Sequence, residues 1–160
     1  MSTKMRTITA LAIGVFALAI VATAQSKDSI VGSWRLNVAK SKYTPGPVPK
    51  SVNSTYEAVG KGYRISVRIE PASGPPQQYS FTTNLDGMDA PVTGDNPNAD
   101  TIAVKRLDAT TLELVSKKGG KMTTTQRNVI SADGKTRTVT TTGTDAQGRT
   151  VNNVGIFEKQ

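Results

Sequence analysis

A chain of 160 residues with no Cys and no His must build any site from arginine, tyrosine, carboxylates, amides and hydroxyls. Disulfides, Cys₂His₂-type zinc, His-held haem and both Ser-His-Asp and Cys-His catalysis are therefore excluded. Paired carboxylates could serve a glycosidase. The candidates are Glu57, Glu70, Glu113 and Glu158, and each falls on the polar phase of its segment, facing water. Asp86, Asp89, Asp95 and Asp100, with Asn96 and Asn98, invite a calcium reading. They lack the spacing of an EF-hand loop, and turn formation accounts for the same residues, because Asn and Asp bond their own backbone two residues on. No catalytic constellation is recognisable, and no cofactor or metal is expected. What remains is binding chemistry: Tyr56, Tyr79, Phe81 and Met88 could line an apolar body, and Arg127, if turned inward, could pair an anionic head group. The plainer reading of each aromatic is ordinary core, since any β-protein needs large inward side chains.

The elements that must position these residues follow from a hydrophobic period of two. Tyr63, Ile65, Val67 and Ile69 alternate with Arg64, Ser66, Arg68 and Glu70, the pattern of a strand with one face buried and one in water. Gly32-Trp34-Leu36, Val52-Ser54-Tyr56-Ala58 and Tyr79-Phe81-Thr83-Leu85 repeat it. Further strands are expected over 88–92, 101–107, 111–117, 121–130, 135–143 and 150–158, about ten in all. Gly60-Lys61-Gly62, Asp86-Gly87, Gly119-Gly120, Asp133-Gly134 and Gln147-Gly148 fall between them as turns. Short turns join neighbours, so an antiparallel up-and-down meander is expected, closed into a barrel of about 8–10 strands because an open meander would leave exposed edges. The sole helical expectation beyond the N-terminal segment is a single turn at 38–42. Two connections are long: Asn37 to Lys50, with Pro45, Pro47 and Pro49, could arch over one barrel end, and the other is 93–100.

The first residues carry a different signal. Lys4 and Arg6 precede an apolar run from Ala10 to Ala22, and Ala22-Thr23-Ala24 supplies small residues for a signal peptidase. That run is short of the roughly 20 residues a spanning helix needs. Residues 1–24 are thus expected to be a cleaved signal peptide and 25–160 a single exported domain, periplasmic or secreted, with no transmembrane anchor in its mature form. The chain carries a formal charge of +8 from 20 Lys and Arg against 12 Asp and Glu. The cations are scattered, which is enough to keep a small domain soluble; a cationic exported protein also meets anionic envelope components. Nucleic acid is not an expected partner, since the aromatics are assigned inward and the leader directs the chain out of the cytoplasm.

Val31-Gly32-Ser33-Trp34-Arg35-Leu36-Asn37 opens the mature domain, and its Gly-x-Trp on the first strand resembles the signature of lipocalins and the wider calycin group. Val154-Gly155-Ile156-Phe157-Glu158-Lys159 is similar to the closing strand of small calycin barrels. With Ala39-Lys40-Ser41-Lys42 and the Pro-rich loop, the opening segment resembles small exported bacterial lipocalin-like proteins of unassigned activity. The resemblance spans roughly 30–159. It implies a structural role for Gly32 and Trp34, with Trp34, the chain's one Trp, plugging the closed end beneath an Arg from a late strand. Arg127 and Arg137 are the candidates, and spacing alone does not choose between them. True lipocalins differ in having disulfides and a C-terminal helix.

These observations support two functional expectations. The first is a non-enzymatic lipocalin-like barrel holding a small hydrophobic or amphipathic molecule, with Tyr56, Tyr79, Phe81, Met88 and Arg127 as its site. The second is an envelope interaction module that binds a polyanion or a protein partner through its basic outer surface.

Overall fold

The computed structural model describes residues 28–160; the expected leader over 1–24 lies outside them. The described chain is all β apart from one turn of 3₁₀ helix at Val38–Lys40, where the Asn37 side chain accepts the Lys40 N–H at 3.1 Å and so caps the turn. Eleven strands follow in order: β1 (Gly32–Leu36), β2 (Ser51–Val59), β3 (Gly62–Glu70), β4 (Gln77–Thr83), β5 (Asp86–Pro91), β6 (Thr93–Gly94), β7 (Thr101–Arg106), β8 (Thr111–Lys118), β9 (Lys121–Ile130), β10 (Thr136–Thr144) and β11 (Thr150–Lys159). They form one antiparallel sheet in the order β5-β7-β8-β9-β10-β11-β1-β2-β3-β4-β6. Each strand from β7 to β11 pairs with the next, β11 returns to β1, and β1 to β4 continue the meander.

The sheet is nearly closed into a barrel, consistent with a lipocalin-like fold. Its seam lies between β4 and β7, and the single segment 86–94 serves both sides of it. β5 pairs with β7 through Ala90 opposite Ile102 and Pro91 opposite Thr101. The chain then crosses, and β6 pairs with β4 through Gly94 opposite Tyr79. The Asp95 N–H extends that contact to the Gln78 carbonyl at 2.8 Å. Gly94 makes the crossing feasible, because its φ is +100° and a Cβ there would stand 2.4 Å from the Gln78 carbonyl oxygen. The expected strand over 88–92 corresponds to β5, and the extra strand, β6, forms from the start of the connection expected over 93–100, which is why eleven strands stand where about ten were expected.

Period-two alternation sets the inside of the barrel as anticipated. Val52, Ser54 and Tyr56 on β2, Tyr63 and Ile65 on β3, Phe81 and Thr83 on β4, and Leu112, Leu114 and Ser116 on β8 are all buried. One end is solid. Trp34 and Ile30 are fully buried, and the indole N–H donates to the Ile30 carbonyl at 2.8 Å, so the segment ahead of β1 folds beneath the ring. The Lys159 ammonium stands 5.1 Å from the Trp34 ring centroid and donates to the Ser29 carbonyl at 2.6 Å. Arg106 pairs with Asp28 at 2.6 Å, and the Tyr63 hydroxyl bonds to both partners, tying the start of the described chain to β3 and β7. Gly32, at φ +127°, would place a Cβ 3.1 Å from Lys159 Cε. Gly-x-Trp therefore works as a unit: the glycine admits the lysine that covers the tryptophan.

Two outcomes test this account in urea unfolding. Trp34→Ala should cost about 3–5 kcal/mol, the usual loss for emptying a buried aromatic site. Gly94→Ala should cost about 1–3 kcal/mol and speed amide exchange at Asp95, whose N–H bonds to the Gln78 carbonyl across the seam, with the β8–β9 pairing unaffected. Uniform exchange across the sheet would mean that Gly94 does not hold the seam.

Candidate functional site

Above the Trp34 floor the barrel encloses a cavity of about 290 Å³. Its apolar wall comes from inward positions of five strands: Val52 and Tyr56 (β2), Ile65, Val67 and Ile69 (β3), Tyr79 and Phe81 (β4), Ile102 (β7) and Leu114 (β8). Ser54, Ser116, Thr124, Gln126, Asn128 and Arg137 add polar groups to the same lining, interleaved with the apolar positions of β2 and β8 and with Val139, Val151 and Phe157 of β10 and β11. Loops frame the other end. Pro45 and Pro49 of the Pro-rich connection, Asn96 and Asn98 of the 95–100 loop, and Asp145 and Arg149 of the β10–β11 turn all border the cavity. The Pro-rich segment arches over this end, as its position after β1 suggested. It is fastened along β11 by Asn152 N–H to the Thr44 carbonyl at 2.7 Å and by Thr44 N–H to Asn153 Oδ1 at 2.9 Å.

Arg137 dominates the electrostatics. It lies on the inward phase of β10 with Val139, and both are buried. Its guanidinium carbon stands 5.3 Å from the Trp34 ring centroid, 4.9 Å from that of Tyr56 and 4.5 Å from that of Phe157, so three aromatic faces or edges surround one cation. Its Nη2 donates to Ser54 Oγ at 2.7 Å. Nε and Nη1 are buried without a well-aligned hydrogen bond, and the Tyr56 hydroxyl lies close enough to the guanidinium to support its charge. Burial pulls the Arg137 pKa below its ordinary value, with the Tyr56, Tyr79 and Tyr43 hydroxyls opposing that shift; a guanidinium nevertheless remains charged in proteins. Burial raises the pKa of the Tyr79 and Tyr43 hydroxyls above the usual phenol range, partly offset by the Arg137 charge. Both stay protonated and can donate.

Tyr56, Tyr79 and Phe81 are thus brought together around the cavity as expected. Two other expected site residues are not. Met88 is 70% exposed, because a register shift between Asp86 and Asp89 breaks the alternation of β5; Ala90, two residues on, is the buried position. Arg127 is exposed on the outer face of β9, where it pairs across the ladder with Glu113 and Thr140. Counting back from buried Ile130 makes Asn128 the inward residue. Arg137, and not Arg127, packs on Trp34 and carries the interior charge.

Sequence reasoning did not reach Tyr43, Ser54 or Asn128 as site residues. Tyr43 comes from the irregular Pro-rich connection, and room for it is left by Gly155, whose Cβ would stand 3.3 Å from the Tyr43 hydroxyl. The acidic and amide residues of 86–100 are used in turns: Asn96 Oδ1 accepts the Asn98 N–H at 3.0 Å, and Asp86 Oδ1 accepts the Met88 N–H at 2.9 Å. Asp145, at the mouth, is paired to Arg149 at 2.7 Å. Burial raises its carboxyl pKa, but the Arg149 backbone N–H and guanidinium outweigh this and hold it below the ordinary range. Arg137 is left without a carboxylate of its own among the described residues that line the cavity.

No protein-family model matches the chain, and no curated protein matches it.

Proposed function

We propose that this protein is an exported, lipocalin-like carrier of the calycin type that reversibly binds one small, partly apolar molecule inside its barrel. The observation that carries this reading is the cavity of about 290 Å³, lined by Val, Ile, Tyr and Phe side chains with a few polar groups among them. Size and lining sit at the small end of the range typical of ligand sites, where apolar walls supply burial and a few polar groups fix orientation. The solid floor and loop-framed opposite end give a single direction of entry. Export places the carrier in the periplasm or outside the cell, where its lack of cysteines leaves it indifferent to oxidising conditions.

The test is to incubate the mature protein with a bacterial lipid and metabolite extract, remove unbound material, and weigh the complex by native mass spectrometry. A retained small molecule at one per chain is expected, with a change in emission of Trp34 beneath the cavity. Affinity should fall less than about threefold between low and high salt, because an enclosed site is poorly screened. Failure to retain any small molecule, together with salt-sensitive capture of a polyanion, would overturn the reading and favour the basic outer surface as the working part.

A further inference from the structure

The unpartnered polar atoms of the cavity lining share one character. Its buried side-chain atoms without partners are Arg137 Nε, Arg137 Nη1 and Asn128 Nδ2. All three are donors, and both residues line the cavity. They are neighbours by register: Arg137 lies opposite Ile130 and Asn128 opposite Val139, which makes Arg137 and Asn128 diagonal neighbours on the inward face of the β9–β10 ladder. A buried donor without an acceptor is costly, and a buried cation without an anion more so. The single acidic side chain among the cavity-lining residues, Asp145, is engaged by Arg149 at the mouth. What the site lacks is one negative charge and at least one further acceptor lone pair.

Resting on the carrier reading above, we infer that the ligand is a monocarboxylate that enters head first, its carboxylate accepting from Arg137 and Asn128 above Trp34. The same proposal fixes its pose and size. The body lies along Val67, Ile69, Tyr79 and Phe81 toward the mouth. A cavity of about 290 Å³ lies at the small end of ligand sites, which favours a short body. One carboxylate matches one guanidinium in charge, and Tyr43 and Tyr79, still protonated, offer further donors without adding charge.

Octanoate, octanol and octylamine serve as matched probes, titrated at neutral pH with Trp34 emission and calorimetry as readouts. Octanoate should bind roughly tenfold or more tightly than octanol, the usual margin for a charge-assisted hydrogen bond, and octylamine should bind most weakly. Asn128→Asp, which places a carboxylate on the inward face with no change in side-chain size, should raise the melting temperature and weaken octanoate by roughly tenfold or more, while octanol is affected little. Arg137→Met should erase the preference for octanoate, but its loss could also unseat Trp34, so the isosteric Asn128 variant decides. Equal affinity for octanoate and octanol, or an unchanged octanoate affinity in Asn128→Asp, overturns the carboxylate assignment while the carrier reading stands. If no probe binds, and the extract also yields nothing, the carrier reading itself fails.

Discussion

A guanidinium held in a protein interior without a carboxylate is a costly arrangement, and the barrel is organised around tolerating one. Three rings, those of Trp34, Tyr56 and Phe157, surround Arg137 at 4.5–5.3 Å, and Ser54 takes one of its N–H groups. Cation–π contacts are strongest where water is excluded, so the stacking offsets part of the desolvation cost at the place where that cost is greatest. It does so from the ring faces and edges. Two of its nitrogens, Nε and Nη1, are left buried without a well-aligned acceptor. The same residue therefore belongs to the floor through its plane and to the cavity through its donors, and neither role is separable from the other.

This dual use explains how the closed end is assembled. Trp34 has cations near its ring from two strands, Arg137 of β10 and Lys159 of β11, and its N–H is bound by the Ile30 carbonyl. β1 is only five residues long, yet it links β11 to β2 at the point where the meander returns on itself. A short strand contributes few ladder bonds. Its position is fixed instead by the side chains that converge on Trp34, together with the Asp28–Arg106–Tyr63 cluster that holds the preceding residues. The opposite seam is closed by backbone geometry, with Gly94 allowing one segment to pair first with β7 and then with β4. The barrel thus closes by side-chain packing at one junction and by a glycine crossing at the other.

These two kinds of closure were unequally legible in the sequence. Strict alternation from Tyr63 to Ile69 identifies a strand and its inward face without further information, and the same holds for Tyr56, Tyr79 and Phe81. Trp34 is legible through Gly-x-Trp on the first strand. Met88 was misplaced because a bulge between Asp86 and Asp89 changes parity, and no residue type in Asp86-Gly87-Met88-Asp89 announces which position is looped out. Arg127 was misplaced for a related reason: Lys121 to Asn128 is almost wholly polar, so its phase is set only by Ile130 beyond it. Arg137 was readable in principle, because it shares parity with Val139 among outward threonines. Its lack of a partner was not readable, since that depends on which side chains from β2, β9 and the Pro-rich connection meet across the interior. Tyr43 enters from an aperiodic segment through space left by Gly155, and pattern analysis has no handle on such a contact.

The composition also bears on how a bound head group would be released. Histidine is the side chain whose ordinary pKa lies near neutrality, and the chain contains none. Burial pushes the hydroxyls of Tyr43 and Tyr79 further from titration, while Arg149 holds Asp145 at the mouth in its charged form. The guanidinium itself keeps its proton. An interior made of these groups has no means of switching its charge on acidification short of protonating the ligand. On the carrier reading proposed above, control over exchange would lie in access, in the loops that border the mouth. Those loops are rich in Pro, Asn and Asp and are fastened by backbone-to-side-chain bonds such as Thr44 to Asn153, Asn98 to Asn96 and Ala146 to Asn98. Bonds of this kind lie partly in water and are individually worth about 0.5–1.5 kcal/mol. None of them involves the residues packed on Trp34, so the contacts that hold the floor and those that border the mouth are separate sets.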